Sequence, residues 1–293
     1  MLRSTTKEEV LIEALPYIQT YEGKTFVIKY GGAAMTDEQL KLTFAKDVTL
    51  LRKIGINIVI VHGGGKEITA TAARLGIETR FVNGQRTTDA AMIDVVLMVL
   101  AGSINKEIVN LVTSNGGNAV GLCGVDNGLL KARKHLVNGV DLGQVGEIVS
   151  VNVPFLNLLL QNGMMPVVAP VGVGNEGEIY NVNADLAASA VATAMKAEKL
   201  VYLSDVEGIL VGNTLVSTLT KSEAETMIGQ GSIFGGMIPK VTSAFRTLDA
   251  GVQKVHIIDG RVKHSLLLEI FTDEGVGTQM IHEPEPEPLA ERL

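Results

Sequence analysis

Two short β-type runs end directly in glycine clusters, and this pairing limits the possible folds more than any other feature. Thr25 to Tyr30 (TFVIKY) runs into Gly31-Gly32, and Ile56 to Val61 (INIVIV) runs into His62-Gly63-Gly64-Gly65. Glycine has no Cβ, so a backbone there can approach an anion closely and aim several N–H groups at it. One glycine at a strand-to-helix turn is ordinary. A pair and a triplet, both at strand ends, favour anion binding. Helix-like segments follow each cluster. Thr36 and Gln39 make a capping-box pattern ahead of Leu40, Phe44, Val48 and Leu51, with Gly55 at the stop. Lys66 to Leu75 reads as a second helix, closed by Gly76.

The alternation continues along the chain. Ala119 to Leu122, Pro166 to Ala169, Leu200 to Leu203 and Val255 to Ile258 read as strands. Asp89 to Thr113, Val153 to Gln161, Asp185 to Lys196 and Ile238 to Asp249 read as helices. Strands alternating with helices predict an α/β fold with a mainly parallel sheet, which binds ligands at the carboxyl ends of its strands. Asn83-Gly84, Asp126-Asn127-Gly128, Asn175-Glu176-Gly177 and Gly212-Asn213 are hairpin signals, read as antiparallel flaps added to that sheet. At the start, Thr6 and Glu9 form a capping box, and Val10, Leu11, Ala14, Leu15 and Ile18 form one apolar stripe. Pro16 is expected to kink or end this helix. The stripe covers either its own subunit's core or another subunit. The tail HEPEPEPLAERL is rich in proline and glutamate, and fraying is expected there.

Composition removes several function classes. The formal net charge is −7 and aromatic residues make up 4%, with no Trp, so neither a basic face nor stacking platforms favour nucleic-acid binding. The single cysteine, Cys123, rules out an internal disulfide and reads as a small buried hydrophobe. No Cys-rich metal site is possible, and no resident metal is expected. The first residues lack the apolar core of a signal peptide, and the best uninterrupted apolar run, Val95 to Ala101, is short for a membrane span. A cytoplasmic protein without membrane contact is the expectation.

Which anion-binding class is this? No P-loop pattern G-x-x-x-x-G-K-[ST] occurs. Gly172, Gly174 and Gly177 spell G-x-G-x-x-G, but EIYNVN follows and starts no helix, so the match reads as chance. There is no protein-kinase catalytic-loop signature. Two lysines stand out instead. Lys29 lies inside an apolar strand, where an ammonium is costly unless paired or facing a ligand. Lys240 follows Gly235-Gly236-Met237-Ile238-Pro239 at a predicted helix start; taken alone it is an ordinary surface lysine. Asp185 opens the segment DLAASAVATAM, where a helix N-cap is a strong alternative to a functional role.

Taken in order, the motifs KYGGAAM, VIVHGGG, NGQRTT, NVNAD, LSDVEGIL and GGMIPK resemble the amino acid kinase family, over about Lys24 to Ile281. The resemblance implies a three-layer αβα sandwich around a mainly parallel sheet, in two lobes. It implies an oligomerisation helix at 1–22, an acyl amino acid-binding and dimerisation lobe at 23–184, and an ATP-binding lobe at 185–293. It also implies that Lys29 and Lys240 contact phosphate and that Asp185 positions them. Gly64 and Gly65 match the substrate loop, Arg86 the carboxylate-binding arginine and Asn181 a substrate-binding asparagine. Gly31, Gly32, Ser204, Asp205, Gly208, Gly235 and Gly236 fall on the nucleotide side. The implied acceptor is the side-chain carboxylate of N-acetyl-L-glutamate, and the implied cofactor is ATP with Mg²⁺ carried mainly by the nucleotide. A carboxyl of pKa ~4.3 is already ionised at neutral pH, so no general base is needed, and His62 reads as structural.

The first helix and the segment HSLLLEIFTDEGVGTQMI resemble the arginine-inhibited branch of the family, whose extra helix joins three dimers into a hexamer. This turns the reading of the stripe toward an inter-subunit seam. The implied L-arginine site lies near Tyr17, Lys196, His256, Glu269 and Gly275. Glu269 is otherwise an ordinary helix glutamate, and Gln279 departs from the branch pattern. Two alternatives stay open: a family kinase acting on aspartate, carbamate, glutamate or acetylaminoadipate, and a non-catalytic ligand sensor. The joint presence of Lys29, Lys240 and Asp185 argues against the sensor.

Overall fold

The structure, a computed structural model, describes residues 7–82, 84–272 and 275–283. The order of elements begins with α1 (Lys7–Tyr21), β1 (Thr25–Tyr30), α2 (Glu38–Lys53), β2 (Asn57–His62) and α3 (Gly65–Arg74). The hairpin β3 (Phe81–Val82) and β4 (Gln85–Arg86) follows, then the long helix α4 (Ala90–Ser114) and β5 (Ala119–Cys123). Next come β6 (Leu130–Val137), β7 (Val140–Val151), α5 (Val153–Gln161), β8 (Met165–Ala169), β9 (Val171–Val173) and β10 (Ile179–Asn181). The last stretch holds α6 (Ala184–Met195), β11 (Lys199–Ser204), β12 (Leu210–Val211), β13 (Thr214–Leu215) and β14 (Thr218–Leu219). It closes with α7 (Lys221–Gly229), α8 (Met237–Asp249), β15 (Lys254–Asp259), α9 (Ser265–Phe271) and β16 (Thr278–Met280).

The central sheet has eight strands in the order β14-β16-β15-β11-β1-β2-β8-β5. The six from β15 to β5 are parallel, and β16 runs antiparallel to β15. Alternate residues of each strand feed opposite layers, as the two-residue period of a strand requires. Phe26, Ile28, Ile58 and Ile60 pack with α2, α4 and α9, while Val27, Val59 and Val61 pack with α5, α6 and α8. This is the expected three-layer sandwich. Its parallel strands bring the loops after β1, β2 and β11 to one edge.

Several local expectations are corrected. The cap of α2 is Asp37, whose Oδ1 accepts from Gln39 N and Leu40 N at 2.9 Å; Thr36 donates to Ala33 O instead. Either residue type caps well, and the carboxylate also suits the helix dipole. Helix α1 continues through Pro16 rather than ending there. On its described part, Ile12 and Leu15 are exposed, while Tyr17 packs edge-on against Phe271 and Tyr21 against Phe26. Thr6, the side chains of Glu9, Val10 and Leu11, and the tail from 284 lie outside the described residues, as does Asn83.

The antiparallel strands do not simply extend the main sheet. Strands β6, β7, β9 and β10 close into a small separate barrel. Asp126–Gly128 is a 3₁₀ turn leading from the sheet into this barrel, not a hairpin, and Asp126 Oδ2 accepts from Cys123 N. The hairpin of this region is Asn138-Gly139, unread in the sequence, with φ of 51° and 79° as a two-residue turn requires. Gly172, Gly174 and Gly177 fall in the β9–β10 hairpin, so the chance reading of G-x-G-x-x-G holds. Helix α4 is long and apolar enough to cross a membrane by composition, although its longest uninterrupted apolar run is short. Its Met92, Val95, Val96 and Val99 belong to the core layer over the sheet.

Candidate active site

Strand β1 carries Lys29 to the edge where the loops converge. Its Nζ lies 3.0 Å from Asp185 Oδ1, which pays for placing an ammonium in an apolar strand. Asp185 is in the first turn of α6 but is not its cap. Asn183 takes that role, with Oδ1 accepting from Asp185 N at 2.8 Å and Leu186 N at 3.2 Å. The Asp185 carboxylate is thereby released to meet the lysine. Lys240, in the first turn of α8, donates to Ser204 Oγ at 3.1 Å at the end of β11. Burial lowers the Lys240 pKa, and the Lys29 charge lowers it further, while Asp185 and Asp205 pull the other way.

The glycine loop after β1 is fitted to this cluster. A Cβ on Gly31 would lie 2.6 Å from Lys29 Nζ, and one on Gly32 2.2 Å from Asp205 Oδ1. Gly32 also has φ of 68°, so a side chain there is excluded twice. Asp205 Oδ1 accepts from Ala33 N, tying the loops after β1 and β11 together. Gly235 (φ 58°) and Gly236 lead into α8, whose N-terminus carries no side-chain cap. Gly208 turns the chain toward β12, beside Thr278 of β16.

A cavity of about 220 Å³ adjoins this edge. Gly64, Gly65, Arg86 and Asn181 all line it, with Ile68, Phe81, Leu100 and Val182 as apolar walls. Gly63 N donates to Tyr30 O at 2.8 Å, which ties the glycine loop after β2 to the end of β1. Among the described residues Arg86 is the only ionisable one in the lining. Its guanidinium is buried, its pKa is lowered by desolvation, and Nη2 donates to Gly65 O (2.8 Å) and Thr69 Oγ1 (2.9 Å). The Phe81 ring covers it at 4.8 Å. Asn181 Nδ2 donates to Thr88 Oγ1 at 3.1 Å; the buried Thr88 went unread in the sequence. A buried cation with no carboxylate beside it is suited to an anionic ligand.

A second cavity, about 230 Å³ and mostly polar, lies on the far side between α1, α9 and the ends of β11 and β15. Tyr17, His256, Glu269 and Gly275 line it, and Gln279 does as well. Lys196 does not line it. That residue is the left-handed C-cap of α6 (φ 49°, ψ 51°), and the lysines in the lining are Lys199, the first residue of β11, and Lys254, the first of β15. Lys199 is 3% exposed, and its Nζ lies 3.2 Å from His256 Nε2. Burial, and then Lys254, lowers its pKa to about 8. His256 Nδ1 meets Glu269 Oε1 at 2.6 Å, and Glu269 Oε2 accepts from Val276 N and Gly277 N. Burial drives His256 to about 4, so its ring is neutral: Nε2 accepts from Lys199 and Nδ1 donates to Glu269. Among the described residues no group of three or more His, Cys, Asp or Glu side chains is placed to hold a metal ion.

Comparison with known proteins adds three findings. Residues 24–259 match the amino acid kinase family. The chain is 58% identical over 282 residues to acetylglutamate kinase from Chlorobaculum tepidum, covering 96% of this chain and 99% of that one. Two solved structures of N-acetylglutamate synthase from Neisseria gonorrhoeae are also similar. One, with coenzyme A and N-acetyl-glutamate, has a TM-score of 0.85 at 28% identity, covering 95% of this chain and 64% of the synthase chain. The other, with coenzyme A and L-arginine, has a TM-score of 0.81 at 27% identity, covering 95% of this chain and 66% of that chain.

Proposed function

The chain belongs to the amino acid kinase family, and on that premise we propose how its own residues perform the reaction. It transfers the γ-phosphoryl group of ATP to the side-chain carboxylate of N-acetyl-L-glutamate, the phosphorylation of that compound in arginine biosynthesis. The observation that carries this reading is the pairing of two sites on one sheet edge. One is the Lys29–Asp185–Lys240 cluster, and the other is a cavity whose only ionisable side chain among the described residues is the buried Arg86. Arg86 would hold the α-carboxylate as a planar fork. The absence of any Asp or Glu from that lining, among the described residues, favours an acylated amino group over a free ammonium.

The acceptor carboxylate is ionised at neutral pH and needs no base. The barrier is repulsion between anions, which the lysines and the loop N–H groups relieve as the phosphoryl group moves in line. Asp185 holds Lys29 in place. Gly31, Gly32, Ser204, Asp205, Gly208, Gly235 and Gly236 would hold the nucleotide, whose triphosphate would carry Mg²⁺ to offset the charge of the transferring phosphoryl group. We place the lobe boundary near 184, with residues 23–184 holding the acyl amino acid and 185–293 the ATP, in a cytoplasmic enzyme. The test is ADP release with N-acetylglutamate, aspartate, carbamate and acetylaminoadipate side by side. N-acetylglutamate should give the highest kcat/KM; a faster rate with any of the others rejects this acceptor.

The polar cavity supports a second reading, as a feedback site for L-arginine in a hexamer built from three dimers joined by α1. Glu269 would pair the guanidinium, since it is held ionised: burial raises its pKa, but hydrogen bonds from His256, Val276 and Gly277 lower it overall. Glu269→Gln is expected to raise the arginine concentration for half-inhibition about tenfold or more, as loss of a charge-assisted pair would. Wild-type activity indifferent to millimolar arginine, or a dimer on a sizing column, counts against this reading.

A further inference from the structure

We propose that His62 is a positioning residue for phosphoryl transfer, its neutral ring holding the Gly63 carbonyl so that Gly64 N–H faces the reacting groups. The inference rests on the kinase reading above. His62 ends β2 and is 0% exposed. Its Nδ1 lies 2.8 Å from Gly63 O, and a carbonyl only accepts, so Nδ1 bears the proton. Nε2 is then an acceptor, and Asn105 Nδ2 stands 3.3 Å from it. The orientation of the Asn105 amide is fixed from other sides. Nδ2 also donates to Val167 O at 2.8 Å, and Oδ1 accepts from Lys106 Nζ at 3.0 Å. Gly121 makes room for it: a Cβ there would lie 1.9 Å from Asn105 Oδ1. Burial, which holds the ring near pKa 4, keeps it in the neutral form this geometry needs.

The consequence follows from peptide stereochemistry. The Gly63–Gly64 peptide is trans, so the Gly63 carbonyl and the Gly64 N–H point in opposite directions. With the carbonyl held at the ring, the N–H turns toward the cavity that Gly64 lines. Neither Gly64 N nor Gly65 N has an acceptor among the described residues. Rotating that peptide would instead aim a carbonyl oxygen at two anions. Gly64 is also pressed from behind, since its Cβ would lie 2.4 Å from Ile104 Cδ1 and 2.6 Å from Leu100 Cδ2. Both residues belong to a π-helical turn of α4, Met98–Ile104, and Asn105 is the next residue. That turn thus sets both the glycine and the amide behind the histidine.

The full chain is assayed with His62→Phe, which keeps a ring and loses the donor, and His62→Asn, which keeps a donor nitrogen at the Nδ1 position. For Phe we expect kcat to fall about 100-fold, as when one oxyanion donor is lost, with KM for N-acetylglutamate within about threefold. Asn should restore most of kcat. Wild-type kcat in the Phe variant, a loss confined to KM, or folded Asn and Phe variants equally impaired overturns the proposal. Nitrogen NMR of the wild-type His62 ring needs no variant to fold: the Nδ1–H tautomer is expected, and the Nε2–H tautomer overturns it. If wild type does not phosphorylate N-acetylglutamate, the kinase reading fails, while the tautomer measurement still judges the hydrogen-bond chain separately.

Discussion

Lys240→Ala is expected to cut kcat by roughly 10³-fold in a protein that melts close to wild type. Removing one neutral donor from a transition-state site costs about 10²–10³, and a cation aimed at a transferring phosphoryl group is worth 10³–10⁵. Folding should tolerate the change. Lys240 is half-buried, and among the described residues its hydrogen bond is to Ser204 Oγ, so alanine gives up little. The pH dependence has a definite sign. Burial and the Lys29 charge lower the Lys240 pKa, so its charged form is lost at a lower pH than that of a free lysine. The alkaline limb of kcat should therefore begin below ~10.4. Lys29→Ala should also lower kcat severely, and with its like charge gone the limb should move upward. Initial rates across pH with saturating substrates make the measurement. Near-normal turnover in either alanine variant removes that lysine from the mechanism.

The sequence exposed Lys29 because its signals are local, whereas Lys240 and Asp185 joined it only through the family resemblance. A lysine inside TFVIKY and a glycine pair after it are visible without knowing the fold. What stayed hidden depends on where elements stop and what they meet. Lys196 and Lys199 are three residues apart, and the one that enters the polar cavity is decided by the turn between α6 and β11. That turn puts Lys196 in the cap and Lys199 in the strand. Element boundaries are the least legible part of a sequence, so this exchange could not be settled there. Asn183 and Asp37 were passed over because Asp185 and Thr36 are also good capping types. Asn105 and Thr88 act through long-range contacts, to Val167 O and to Asn181, which no local spacing announces. Asn138-Gly139 did carry a local signal; closure of its strands into a separate barrel did not.

Arg86→Ala should produce the other large effect, on binding rather than turnover. Two charge-assisted hydrogen bonds to a carboxylate, at about 1.5–3 kcal/mol each, predict a rise in KM for N-acetylglutamate of roughly 100-fold or more. KM for ATP should stay within about threefold, because none of the residues proposed for the nucleotide lines the Arg86 cavity. Some loss of kcat is expected as well, since Nη2 also holds Gly65 O and Thr69 Oγ1. Arg86→Lys separates the two contributions. Lysine restores the charge but not the planar fork, and a single ammonium cannot serve Gly65 O, Thr69 Oγ1 and a carboxylate in the same geometry. The lysine variant should therefore recover only part of the affinity. Steady-state kinetics with each substrate varied in turn decides it. An unchanged KM for the acyl amino acid in Arg86→Ala would mean that the buried guanidinium only ties the β3–β4 hairpin to α3, and the carboxylate would have to be held elsewhere.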